Sequence, residues 1–146
     1  ACRIISALEL GRRVSVASEM QKFKISSRQD IGDVYMEELR YKKKEIFRVV
    51  LLNTKNVIIG SKDISEGSLN ASIVHPREVF LEAIKKSANK MILMHNHPSG
   101  DPTPSSEDIN ITKRLISAGQ IVGIEILDHV IIGDGSFYSF KENGQI

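Results

Sequence analysis

An apolar run that ends in two histidines one residue apart limits what this chain can fold into more than any other stretch. The run Met91 to Met94 is followed by His95 and His97, and then by a turn rich in Pro, Gly and Ser. In an extended segment residues i and i+2 project to the same side, so the two imidazoles can point at one place while Asn96 faces away. The pattern predicts a strand over residues 90–95 that ends at a polar site.

A carboxylate follows beyond this turn. Asp108 comes eleven residues after His97, and the apolar residues behind it have roughly helical spacing. We expect a helix from Ser105 to about Ala118, with Gly119 as its stop and Asp108 in its first turn, facing the histidines. Two imidazoles and one carboxylate suit one zinc ion per chain and leave a fourth position open, which is typical of hydrolytic sites.

Each part of this pattern also has a purely structural interpretation. Ser105-x-x-Asp108 resembles a capping box, in which the serine side chain accepts a hydrogen bond from the backbone three residues on. A lone His-x-His pair is often only the polar end of a strand. The combination of both motifs across a turn favours a metal site.

The motif and its surroundings resemble a known family. His-x-His, seven residues, Ser, two residues and Asp is similar to the JAMM signature of MPN-domain metalloproteases, and His95 to Gly100 look like the version in the bacterial RadC family. Other segments that look like RadC are residues 67–70, 74–80 and 127–133, so the resemblance covers about residues 27–144. Asn96 departs from the Ser or Thr of eukaryotic deubiquitinating members, which weakens any transfer of their substrate.

The resemblance implies a fold, a metal and an activity. It implies an MPN fold, similar in architecture to cytidine deaminases, and a JAMM-type zinc metalloprotease with His95, His97 and Asp108 as ligands. Ser105 carries over as a candidate donor to the oxyanion that forms on the attacked carbonyl. The family's name suggests an alternative, a DNA-repair-associated or protein-interaction module whose metal site is structural or vestigial.

A hydrolase of this kind also needs a base for the proton of the attacking water. Glu45 opens the first core strand, and if that strand runs antiparallel beside the one ending at His95, Glu45 lies at the metal. In JAMM enzymes the catalytic glutamate likewise heads the first core strand. An exposed glutamate after three lysines is the structural alternative. The candidates are Glu37, Glu38, Glu45, Glu66, Glu78 and Glu82.

The rest of the chain predicts an α/β protein of the α+β type, a mixed sheet with helices against its faces. Helices are expected over residues 1–14, from Ser27 and from Pro76, and strands over 45–53, 57–60, 71–74, 121–127, 130–132 and 137–140. Residues 1–26 are expected to be a helix and linker left from a preceding helix-hairpin-helix domain, and residues 27–146 the metal-binding domain. His75, Asp128 and His129 are candidates for supporting the site or for purely structural roles.

Composition limits the partners and the compartment. The single Cys2 excludes an internal disulfide framework, and no apolar stretch has the length of a membrane span, so a cytoplasmic protein without a membrane partner is expected. We expect a peptide or protein substrate. The basic run at Arg40 and Lys42 to Lys44 also offers a site for DNA contact, although such runs are more often solvated. A cytidine-deaminase zinc site needs a Cys-x-x-Cys pair, which is missing.

Overall fold

The computed structural model describes residues 24–25, 28–67 and 74–146, which form a five-stranded mixed sheet with helices on both faces. The helix predicted over residues 1–14, most of the predicted linker and most of the predicted strand over 71–74 lie outside the described residues. No described helix has the length and apolar character needed to cross a membrane. The elements are α1 (Arg28–Leu39), β1 (Glu45–Leu52), β2 (Ile58–Gly67), α2 (Pro76–Lys85), β3 (Lys90–Asn96), α3 (Ser106–Val122), β4 (Glu125–Ile132) and β5 (Phe137–Ser139).

The strand order is β2-β1-β3-β4-β5, with β3 and β4 parallel and all other neighbours antiparallel. The prediction of a mixed sheet flanked by helices is therefore confirmed. A tight turn joins β1 to β2, because the Asn53 side chain accepts hydrogen bonds from the backbone N–H groups of Lys55 and Val57 at 2.9 and 3.0 Å. The parallel pair needs a crossover, and α3 supplies it.

The central strands β1 and β3 are almost continuously apolar because both of their faces are covered. On one face Phe47, Val49 and Leu93 pack with residues of α2 and α3. On the other face Val50 and Met94 pack with residues of α1. The protein is thus a three-layer arrangement, and successive residues of β3 alternate between the two cores.

The closing part of the chain differs from the prediction in three ways. Helix α3 does not stop at Gly119 but continues to Val122, and Gly123 takes the left-handed cap with φ 79°. Gly119 instead allows the following chain to pack closely, because a Cβ there would lie 2.6 Å from the carbonyl oxygen of Ile124. The strand expected over 121–127 begins only at Glu125 and continues unbroken to Ile132, through the two polar residues expected to interrupt it.

Candidate metal centre

The two histidines of the motif lie where β3 ends. His95 is completely buried, on the sheet face that packs against α3, and His97 follows at the start of the loop. The backbone N–H of His97 still donates to the carbonyl of Ile132 at the end of β4. The Nε2 atoms of His95 and His97 lie 3.0 Å apart, so the alternation of side chains in an extended segment does bring both imidazoles to one place.

Asp108 reaches the histidines from the first turn of α3. Its Oδ1 lies 3.2 Å from His95 Nε2 and its Oδ2 lies 3.4 Å from His97 Nε2. The predicted capping box is also present: Ser105 Oγ accepts from the Asp108 backbone N–H, while Asp108 Oδ2 accepts from the Ser105 backbone N–H and hydroxyl, both at 2.7 Å. The helix cap therefore fixes the orientation of the carboxylate.

Glu45 completes the group from the neighbouring strand. Because β1 runs antiparallel to β3 with Phe47 opposite His95, the start of β1 lies beside the end of β3, as predicted. Glu45 Oε1 is 3.9 Å from His95 Nε2 and 3.8 Å from His97 Nε2. The ligand atoms offered by Glu45, His95, His97 and Asp108 all lie within 4.8 Å of one another.

Hydrogen bonds on the far side of each ring determine which nitrogen faces the cluster. Thr112 Oγ1 donates to the Asp108 carbonyl oxygen at 2.6 Å, so it must accept from His129 Nδ1–H, also at 2.6 Å. His129 Nε2 is then an acceptor and takes a hydrogen bond from His95 Nδ1–H at 2.9 Å. His97 Nδ1–H donates to the Asp101 carbonyl oxygen at 2.8 Å. When neutral, each imidazole therefore directs an Nε2 lone pair at the cluster; when protonated, it directs an Nε2–H that can donate to Asp108.

This set of acceptors fits a metal ion. Ligand atoms on one tetrahedral zinc ion, each about 2.1 Å from it, lie about 3.4 Å from one another. The two Nε2 atoms are 3.0 Å apart, and each has a different Asp108 oxygen near that spacing: Oδ1 lies 3.2 Å from His95 and Oδ2 lies 3.4 Å from His97. Glu45 stands farther from both nitrogens, which suits a group beside the ion rather than a ligand.

The electrostatics of the cluster agree with a site for a cation. Hydrogen bonding to Asp108 raises the pKa of His97 above its usual value, although burial opposes this. Burial alone would raise the pKa of Asp108, but hydrogen bonds from His95, His97 and Ser105 hold it well below its usual range. Burial, assisted by the nearby His95, lowers the pKa of His129 well below the usual value, so that ring stays neutral.

The structure does not bring His75, Asp128 or the remaining candidate glutamates to the cluster. His75 caps α2, with its Nδ1 accepting from the Arg77 backbone N–H at 3.1 Å. Asp128 accepts from the backbone N–H groups of His129 and Lys141 and from the hydroxyl of Ser139. The remaining candidate glutamates form ion pairs with basic residues elsewhere: Glu37 with Arg40, Glu38 with Arg48, Glu66 with Lys44, Glu78 with Arg77 and Glu82 with Lys85.

One residue of the site was not predicted from the sequence. Thr112 lies one helical turn after Asp108 and connects its carbonyl to His129, but nothing in its spacing distinguishes it from an ordinary helix residue. His129, left open between a supporting and a structural role, does contact His95. It is fully buried and stacks on Phe140 with ring centroids 4.9 Å apart.

Comparisons with known proteins agree with this geometry. The family model described as RadC-like JAB domain matches residues 25–145. A UPF0758 protein of Alkaliphilus metalliredigens is 57% identical over 146 residues, all of this chain and 63% of that protein. A UPF0758 protein of Clostridioides difficile is 60% identical over 141 residues, which is 97% of this chain and 60% of that protein. The chain thus spans under two thirds of the length of these relatives, and by its match to the RadC-like JAB domain model it belongs to the RadC family.

Proposed function

We propose that this domain is a zinc-dependent hydrolase of peptide or isopeptide bonds. The observation that carries the proposal is the meeting of two imidazole lone pairs and a buried carboxylate at ligand spacing, with a second carboxylate just beyond it. Three protein ligands leave a position open, as hydrolytic zinc sites do, whereas structural zinc sites are usually closed by four.

His95, His97 and Asp108 would hold the ion. A bound zinc ion acts as a Lewis acid, which makes water acidic enough to lose a proton near neutral pH and polarises the carbonyl that is attacked. His95 and Asp108 are held in place by hydrogen bonds to His129 and Ser105, so little reorganisation is needed when the ion binds.

Glu45 would move the proton. Its side chain is 21% exposed, so the carboxylate can face both the cluster and solvent that enters with the substrate. Glu45 Oε1 accepts a proton from the attacking water and then gives it to the nitrogen of the scissile bond as that bond breaks. One water is consumed, and a carboxylic acid and an amine are released.

Ser105 is the proposed donor to the oxyanion. Its hydroxyl now donates to Asp108 Oδ2 at 2.7 Å, so this role would require the hydroxyl to rotate away from the carboxylate. The backbone N–H of Ser105 also donates to that oxygen and would keep Asp108 capped during the rotation.

The test is Glu45→Gln, measured for metal content and for cleavage of a peptide library. The amide has nearly the same shape but cannot accept the proton, so zinc should stay bound while cleavage falls by about 10² to 10⁴. Glu78→Gln, which removes a carboxylate outside the cluster, is the matched control and should cleave normally.

Three outcomes would contradict parts of the proposal. Unchanged cleavage by Glu45→Gln would place the base elsewhere, and loss of zinc from that variant would make Glu45 a ligand. Zinc binding without cleavage of any peptide would favour the interaction module. Titration with duplex DNA at two salt concentrations would then test for the phosphate contacts that a DNA-binding module makes.

A further inference from the structure

Asn96, between the two histidines, makes three side-chain hydrogen bonds to the start of β1 and the segment just before it. Its Oδ1 accepts from the backbone N–H of Ile46 at 2.9 Å. Its Nδ2 donates to the carbonyl oxygens of Lys44 and Lys42 at 3.2 and 3.4 Å. The side chain is completely buried, and these partners lie fifty or more residues away in the chain.

These bonds enclose Glu45. The carbonyl of Lys44 precedes Glu45 and the N–H of Ile46 follows it, so Asn96 is hydrogen-bonded to the backbone on both sides of Glu45. The segment needs such an anchor, because Lys42 to Lys44 are exposed, carry like charges and lie before the ladder of β1 begins. Without the Asn96 side chain, the backbone at Glu45 would be held, among the described residues, only by the pairing of β1 with β2, because the pairing with β3 begins at Phe47.

We propose that Asn96 is a positioning residue that sets the distance from Glu45 to the metal ligands. The inference rests on the proposed role of Glu45 as proton acceptor. Because His95 and His97 are the chain neighbours of Asn96, the same three residues hold both the ligands and the strand start that carries Glu45. The 3.8 and 3.9 Å separations from Glu45 Oε1 to the two Nε2 atoms are fixed through this connection.

An amide is the side chain that this position requires. The N–H of Ile46 needs an acceptor and the two carbonyls need donors, which also determines the orientation of the amide group. Aspartate would supply the acceptor but no donor, serine would be too short to span the three groups, and alanine would supply nothing.

The first measurement is hydrogen exchange of backbone amides in the metal-free protein. In Asn96→Ala the Ile46 amide loses its acceptor and should exchange roughly tenfold faster, while amides at the centre of β1, such as that of Val50, keep their protection. Ser139→Ala is the matched control, since it also removes a buried polar side chain but lies outside the segment at 42–46. Unchanged exchange at Ile46 would overturn the inference.

The second measurement is catalysis by the zinc-loaded protein on a peptide selected from the library. Asn96→Ala should bind zinc at wild-type stoichiometry and lower kcat roughly 10- to 100-fold with little change in KM, since displacement by about 1 Å can cost that much. In a Glu45→Gln background the same substitution should have almost no further effect, because Asn96 acts through Glu45. An equal loss in both backgrounds would show an independent structural role and refute the proposal.

The outcomes separate this inference from the proposed function. If Glu45→Gln removes cleavage but Asn96→Ala does not, the proposed base stands and its positioning by Asn96 is refuted. If Glu45→Gln cleaves normally, the proposed base is wrong and the inference fails with it. If Asn96→Ala does not fold, Asn96→Asp is measured in its place. It should lower kcat in the wild-type background and have almost no further effect in the Glu45→Gln background. Failure of both to fold would make Asn96 a residue of the fold and overturn the inference.

Discussion

Replacing Thr112 by valine should weaken zinc binding without touching any ligand. Valine has the shape of threonine but no hydroxyl, so His129 Nδ1–H loses its acceptor. His129 can recover little by changing tautomer, because its Nε2–H would then face His95 Nδ1–H at 2.9 Å. His95 would have to move its own proton to Nε2, the atom that faces the cluster.

The magnitude follows from the bonds that are lost. The buried N–H of His129 is left without a partner, which costs about 1–3 kcal/mol of the stability of the metal-free protein. Loss of a group that orients a metal-binding histidine typically lowers metal affinity by about 10- to 100-fold. We expect Thr112→Val to lower zinc affinity by an amount in that range, because the Thr112 hydroxyl accepts from His129, which in turn accepts from His95.

Competition with a chelator measures zinc affinity, and urea unfolding of the metal-free protein measures stability. Thr112→Ser keeps the hydroxyl and is the control, with zinc affinity expected within about threefold of wild type. Wild-type zinc affinity in Thr112→Val would refute the inference that this hydroxyl determines the His95 tautomer.

Three further predictions concern Asp108, His97 and helix α3. Asp108→Asn should lose zinc but keep α3 capped, since its amide oxygen can still accept from the helix start; retained zinc in metal analysis would contradict this. Because Asp108 raises the pKa of His97, zinc competes with a proton there, and in chelator competition its affinity should rise with pH through the usual histidine range near about 6.5 and level off only above the raised pKa; a flat profile would contradict this. Gly119→Ala should destabilise the fold by about 1–3 kcal/mol in urea unfolding, because its Cβ would overlap the carbonyl of Ile124; unchanged stability would contradict it.

The main parts of the candidate site were predictable because their signals are local. His95 and His97 share one strand end, and Asp108 lies in the first turn of the next helix. Glu45 is distant in sequence, but its position needed only one assumption, that β1 runs antiparallel to β3, which the structure confirms.

The supporting contacts were not predictable because they join residues far apart in the chain. His129 is 34 residues from His95, and its meeting with Thr112 depends on how α3 packs on β4. The polar pair Asp128 and His129 was expected to break a strand, yet both side chains are buried with partners and the strand continues. Gly119 was expected to end a helix, but its lack of a Cβ is used for a close approach by the chain that follows.

The two interpretations of Ser105 and Asp108, a helix cap and part of a metal site, are compatible. Asp108 Oδ2 accepts both hydrogen bonds from Ser105 and still lies 3.4 Å from His97 Nε2, while Oδ1 faces His95. The cap holds the carboxylate in one orientation before any ion arrives, so a metal ion that binds there would not have to order it. Evidence for a structural role at such a position therefore does not count against a functional one, because the structural bonds are what place the functional atom.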